Sequence, residues 1–171
     1  MAVIEAIATT YLEADAASVT FSSIPATYEH LQVRISAKAT APLSDSAIIA
    51  TFNSDTGANY SYHYMKASSS TASAASATGS NSMVWFRIPA ATVPATDYSA
   101  MVVDILDYAN TSKNTTVLFA NGGPTSMTTP LYFGSQLWDA TAAVASIQMS
   151  TPSGDEFMRG SEFTLYGLNS S

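Results

Sequence analysis

AIIATFNSDTGANYSYHYMK, residues 47–66, decides the fold. Two arms of period two flank a run of turn formers, and strand side chains alternate between faces. In the first arm Ile49, Thr51 and Asn53 share one face, and Ile48, Ala50 and Phe52 share the other. Asn53 to Gly57 supplies residues that bond their own backbone or tolerate positive φ. In the second arm Tyr60, Tyr62 and Tyr64 face one way, and Ser61, His63 and Met65 the other. Tyrosines at this spacing suit a pleated, half-buried surface, so the stretch predicts a β-hairpin held by cross-strand aromatic packing. Two sharper readings compete. Asp55-Thr56-Gly57 has the letters of the aspartic-protease triplet, which needs two carboxylates sharing a proton; a second triplet is absent from the chain. Asn53, Asp55 and Asn59 offer oxygens to calcium, without the closing Glu of an EF-hand loop. The hairpin takes precedence over both.

Outward from this stretch the chain is read as strands. Val3 and Ile4 open an N-terminal strand that runs to Leu12, with a short helix over Val3–Ala8 as the alternative. Val19 and Phe21 share a face of the next strand, and Leu31, Val33 and Ile35 are the inward set of a third, with His30, Gln32, Arg34 and Ser36 outward. Residues 83–88, 98–106, 115–120, 131–138, 144–150 and 161–168 complete the series, with Phe163 and Leu165 inward in the last. The order strand, Ile-Pro-Ala, turn, strand occurs at 18–35 and again at 82–106, an echo that would place two hairpins in corresponding positions of a sandwich, with coincidence as the alternative. Residues 67–82 are almost wholly Ser, Ala and Thr, with no period and no large apolar anchor. They predict a long mobile loop or contact arm. Short strands with a turn signal every eight to twelve residues and no convincing helix predict one all-β domain, a single antiparallel β-sandwich of jelly-roll type over residues 1–171.

Composition bounds the function. Charged residues make up 11% of the chain, and Ala, Ser and Thr fill about two-fifths of it, well above ordinary usage. So few surface charges suit a protein that works inside a large assembly. The net charge of −7, with only six Lys and Arg, argues against nucleic acid as a partner, because phosphate binding needs clustered cations. There is no cysteine, hence no disulfide and no thiolate chemistry. The N-terminal residues lack the basic and apolar regions of a signal peptide, and no apolar run is long enough to span a membrane. Neither a nucleophile elbow nor a His-rich metal motif is present, and the two histidines have no carboxylate partner in sequence. Asp104, Asp107, Asp139 and Glu162 have no spacing that pairs them as glycosidase acids. The chain is therefore expected to be neither an enzyme nor a cofactor carrier.

Three stretches, ASVTFSSIPATY at 17–28, FNSDTGANYSY at 52–62 and GSEFTLYG at 160–167, resemble a group of virion structural proteins of tailed bacteriophages, cyanophages included. Their order and the Ser/Ala-rich segment after the second are also similar. The resemblance implies a jelly-roll capsid decoration (cement) protein or a tail-fibre or baseplate part, usually trimeric, with no catalytic residues. The leading expectation is a cement protein that binds the major capsid protein or other virion proteins as a homotrimer on the outside of the head. The contact residues expected are Val3, Ile4, Ser68, Ser69, Ser70, Thr71 and Ser73, with Tyr62 and Tyr64 beside them. The alternative is a receptor- or carbohydrate-binding tail module using Tyr62, Tyr64, Trp85 or Trp138 as stacking platforms.

Overall fold

The computed structural model describes residues 3–68, 70–128 and 130–169. They form twelve strands: β1 (Val3–Tyr11), β2 (Ser18–Phe21), β3 (His30–Ser36), β4 (Asp45–Phe52), β5 (Tyr60–Ser68), β6 (Thr71–Ser80), β7 (Met83–Pro89), β8 (Ala100–Leu106), β9 (Thr115–Gly122), β10 (Leu131–Trp138), β11 (Ile147–Ser150) and β12 (Glu162–Asn169). A single 3₁₀ turn, Pro152–Gly154, interrupts the β structure. The large sheet has the order β1-β12-β3-β8-β9-β10-β5-β6, and the small sheet β2-β11-β4-β7. Adjacent strands in both are antiparallel. The chain is an all-β sandwich of two antiparallel sheets with one apolar core between them.

Alternation builds that core. Leu31, Val33 and Ile35 of β3, Met101, Val103 and Ile105 of β8, and Val117 and Phe119 of β9 are buried from the large sheet. Val19, Phe21, Ile48, Ala50, Phe52, Ile147 and Met149 meet them from the small one. Each such apolar side chain contributes about 1.5–3 kcal/mol by leaving water. The two Ile-Pro-Ala segments are not hairpins, since β2 and β3, like β7 and β8, lie in different sheets, but they do occupy corresponding positions. Each carries the chain from an edge of the small sheet, β2 or β7, to adjacent strands of the large one, β3 and β8. Proline at both crossings suits a strand end, where no ladder donor is required.

Residues 47–66 do not form a hairpin. β4 pairs with β11 and β7, whereas β5 pairs with β10 and β6, so residues 53–59 form a corner that carries the chain between sheets. Long-range partners decide this. Asn53 and Ser54 adopt positive φ, 52° and 58°, and the Asn53 side chain bonds the strand entering β11. Its Nδ2 donates to the Ala143 carbonyl at 2.8 Å, and its Oδ1 accepts from the Ala145 and Ser146 amides at 2.8 and 3.0 Å. The Tyr60 hydroxyl closes the corner: it donates to the Asp55 carbonyl at 3.0 Å and accepts from the Phe52 amide at 3.1 Å.

The tyrosines of β5 pack across the sandwich rather than along a hairpin. Phe86 of β7 stacks on Phe119 and Tyr132 at 4.8 and 4.9 Å, and lies 4.4 Å from the Tyr64 ring and 5.8 Å from that of Tyr62. A bulge places it there. The β4–β7 register gains a residue in β7 between the pairs Ala47–Arg87 and Ile49–Val84, and Phe86 takes a φ of 58°. Trp85 and Phe86 therefore both turn inward, which simple alternation forbids.

The expected loop at 67–82 is likewise a strand for most of its length. β6 runs antiparallel to β5 from the pair Ser68–Thr71 to the pair Tyr60–Ser80. Its side chains lie largely in solvent on both faces, so it needs no apolar anchor, and its order rests on backbone hydrogen bonds to β5. Gly79, at a φ of 67°, accommodates the extra β6 residue opposite Tyr60 and Tyr62. The expected N-terminal strand is β1, with no helix at Val3–Ala8.

Burial gives the corner a pH signature. Desolvation pushes the Tyr60 hydroxyl up to about 12, against the opposing hydrogen bond from the Phe52 amide. The folded chain then keeps a proton that the unfolded chain loses near 10, so stability falls as pH rises between those values, by about 2–3 kcal/mol for this group. Tyr28, Tyr98 and Tyr108 are shifted in the same direction. Urea midpoints measured through that window should fall less steeply in Tyr60→Phe than in the parent. Equal slopes would remove Tyr60 from the account.

Candidate functional site

The residues expected to make contacts fall into three places. Val3 and Ile4 are exposed on β1, one edge of the large sheet. Thr71 and Ser73 are exposed on β6, the opposite edge of that sheet, with Ser70 exposed in the turn before it. Ser68 closes β5 and donates its hydroxyl to the Thr128 carbonyl at 2.5 Å. Ser69 lies outside the described residues. Tyr62 and Tyr64 are half-buried on the inner face against Phe86, and so belong to the packing between sheets rather than to an outer surface. Trp85 and Trp138 are core residues. None of the four aromatic platforms expected for a sugar-binding face presents a free ring on the surface, because the strand faces that carry them point inward.

A different surface is built on the outer face of the half-sheet β9-β10-β5-β6 and the adjoining β8. Register sets Met65 opposite Phe133, Phe133 opposite Ala120, and Ala120 opposite Val102, one transverse row across four strands. Ala74 of β6 extends it beyond Met65. Leu131 lies opposite Ala67 and Gly122 in the next row, and Leu118 lies opposite Ser135 in the row on the other side. Met65 is 61% exposed, and Phe133 and Leu131 are each 53% exposed. Outward positions of a solvated antiparallel sheet are ordinarily polar. Met65, Leu118 and Phe133 of this surface floor an open groove of about 480 Å³, with His63 and Ser135 beside them and Ala74 on the β6 side.

Electrostatics single out the same quadrant. All thirteen carboxylates of the chain lie outside β5, β6, β9 and β10, and Lys66 is the one Lys or Arg within those strands. A molecule of net charge −7 thus has a large face free of acid. The sequence signal for it was two-sided hydrophobicity: Val117-Leu118-Phe119-Ala120 and Leu131-Tyr132-Phe133 leave no polar face.

The alternatives raised by Asp55-Thr56-Gly57 are answered by hydrogen bonding. The Asp55 carboxylate accepts from the Gly57 amide at 2.8 Å, Asn59 Nδ2 at 2.9 Å and Trp138 Nε1 at 2.8 Å. These donors, Trp138 first, hold its carboxyl below the usual range. Three N–H groups aimed at one carboxylate favour its ionised form over one that shares a proton with a second carboxylate. Asn53 spends its oxygen on backbone amides and Asn59 offers its nitrogen, so the three side chains do not converge as ligands. Among the described residues no three His, Asp or Glu side chains are grouped to hold a metal ion.

His30 and Asp107 meet at the β3–β8 end, a pairing that sequence distance concealed. His30 Nδ1 lies 3.4 Å from the Asp107 carboxylate and accepts from the Asp107 amide at 3.0 Å. Lys113 bonds the same carboxylate and is the main cause of its lowered pKa. This exposed cluster carries no hydroxyl nucleophile in its bonding pattern. Compared with known protein families, curated proteins and solved structures, the chain matches none of them.

Proposed function

We propose that this chain is a capsid decoration protein of a tailed bacteriophage, a structural subunit that braces the outside of the head as a homotrimer through many weak, repeated contacts. The observation that carries the reading is the exposed apolar row Met65–Phe133–Ala120 on the acid-free strands of the large sheet, continued by Val102 of the adjoining β8. Contiguous exposed apolar surface marks an interaction site. A shell repeats its subunits by symmetry, so modest contacts multiply into firm attachment. The low charge content and the resemblance of the three sequence stretches point the same way.

We infer further that the sandwich is a jelly roll. With the two added pairs β5–β6 and β9–β10 set aside, the remaining strands give β1-β12-β3-β8 over β2-β11-β4-β7, and successive strands alternate between sheets except at β4 and β7, which are neighbours in the small one. Eight antiparallel strands wired in this way make two Greek keys. The added pairs lie side by side and extend the large sheet, so the proposed contact surface is an elaboration upon that core.

Immunogold labelling of intact virions tests the placement. Gold on the heads supports it; gold confined to tails, or absent from washed particles, overturns it.

A further inference from the structure

The four edge strands of the sandwich are unequal, and the inequality names a partner. A sheet edge exposes unpaired N–H and C=O groups, and proteins guard such edges with charge, proline, bulges, short length or cover. β1 carries Glu5 and a register shift between Ala6 and Ala8. β2 is four residues long. β7 contains Arg87, Pro89 and the Phe86 bulge, and two of its carbonyls, Val84 and Arg87, accept from the side chains of Gln136 and Asn121. β6 is ten residues long, with neither a charge nor a proline, and its bulge lies at its far end beside Gly79. Over Thr71–Ala77 it pairs in regular register with β5 on one side and with nothing described on the other.

We propose that the free edge of β6 pairs antiparallel with β6 of a second copy of this chain, across a two-fold axis perpendicular to the sheet. The pairing joins two eight-stranded sheets into one. An isologous contact of this kind closes on itself, whereas pairing β6 with a different edge strand would propagate copy upon copy. Charge permits it: each copy carries −7, but β5, β6, β9 and β10 contribute no carboxylate to the junction, so repulsion between two like molecules is least there. Side-chain size permits it as well. Every β6 residue is Gly, Ala, Ser or Thr, so opposed side chains near the axis meet without a clash whichever residue between Ser73 and Ala77 lies on it. The outward residues Ala72, Ala74 and Ser76 adjoin the Met65–Phe133 row, so the two-fold also makes one apolar face from two. A trimer uses a different contact; in a trimeric particle the β6 edges would join one trimer to the next. This inference stands independently of the virion reading.

The chain has no cysteine, so a single-cysteine scan over positions 72 to 78 reports the contact directly. In the full-length protein under mild oxidation, disulfide-linked pairs should peak at the residue nearest the axis and fall away on both sides. Analytical ultracentrifugation of the unsubstituted chain should show a particle mass that doubles reversibly with concentration. Ala74→Lys combined with Ser76→Lys, which opposes like charges across the axis while keeping every backbone donor, should abolish the doubling and leave the thermal unfolding curve in place. Glu5→Gln on β1 should leave the doubling intact. A flat crosslinking profile, a mass that never doubles up to the solubility limit, or doubling that survives the two lysines would each overturn the proposal. None of these results depends on whether the protein decorates a phage head, so the two ideas fail separately.

Discussion

Gly134→Val should lower the stability of the chain by more than about 3 kcal/mol, at the upper end of overpacking costs, and leave most of it unfolded near its parent's melting temperature. A Cβ at this position would lie 2.3 Å from the His63 carbonyl oxygen and 2.8 and 2.9 Å from Phe119 ring carbons. The first of these is backbone of the neighbouring strand, so relief requires β10 and β5 to move apart. The second belongs to the Phe119–Phe86–Tyr132 stack that joins the sheets. Glycine is required here for close approach. The same strand gives an internal contrast, because Ser135→Val points outward beside the groove and should cost less than about 1 kcal/mol. Urea unfolding of the two variants checks the difference. Equal stability of Gly134→Val and the parent would mean that β10 and β5 are not paired in the register described.

Asp55→Ala should cost about 2–4 kcal/mol, from the loss of charge-assisted hydrogen bonds and the stranding of a buried donor. Trp138 is buried, and its Nε1 has the Asp55 carboxylate as its acceptor at 2.8 Å. Removing that acceptor leaves an indole N–H unpaired against Phe52, whose ring meets Trp138 edge-on at 5.5 Å. The turn at Gly57 and the link to Asn59 are lost with it. Because the folded carboxyl is held below its unfolded value, its stabilisation is complete above an unfolded pKa of about 3.9 and disappears as pH falls through the lower folded value. Asp55→Asn keeps the shape, should cost roughly half as much, and should flatten the acid limb of the stability profile. An unchanged acid limb in Asp55→Asn would show that another carboxylate governs acid unfolding.

Both variants concern positions that illustrate what a sequence does and does not display. The faces of β3 and β12 were legible from alternation, with Leu31, Val33, Ile35, Phe163 and Leu165 inward as period two requires, whereas β8 carries apolar Val102 and Leu106 on its outer face and reads both ways. The corner at 53–59 was not. Asn53, Asp55 and Gly57 are the residues a hairpin also uses, and what makes a corner of them is contact with Ala143, Ala145, Ser146 and Trp138, more than eighty residues away. β6 was hidden for a different reason. Its order comes from a backbone ladder, and backbone donors and acceptors leave no trace in side-chain periodicity. The bulge at Phe86 broke alternation at one residue and could not be separated from noise without the β4 register.

The proposed contact surface lies between the stretches that the sequence pointed to. The two stretches expected to reach partners, the N-terminal strand and the Ser/Ala/Thr-rich segment, are the two edges of one sheet. The row that lies between β6 and β8 was overlooked, since Leu118, Leu131, Phe133 and Met65 resemble core residues until the sheet is seen to turn them outward. The tyrosines drew attention for the opposite reason: amphipathic rings suit both a surface platform and an inter-sheet contact, and Phe86 decides for the latter.

The account rests on the claim that the outer face of β9-β10-β5-β6 is where this protein meets its assembly. A cryo-EM reconstruction of the intact virion, at a resolution that orients the sandwich, measures this directly. The account predicts copies on the head with Met65, Leu131 and Phe133 buried against protein and the carboxylate-bearing surfaces facing solvent. Copies whose Met65–Phe133 row faces open solvent, or copies found only on the tail, would contradict it.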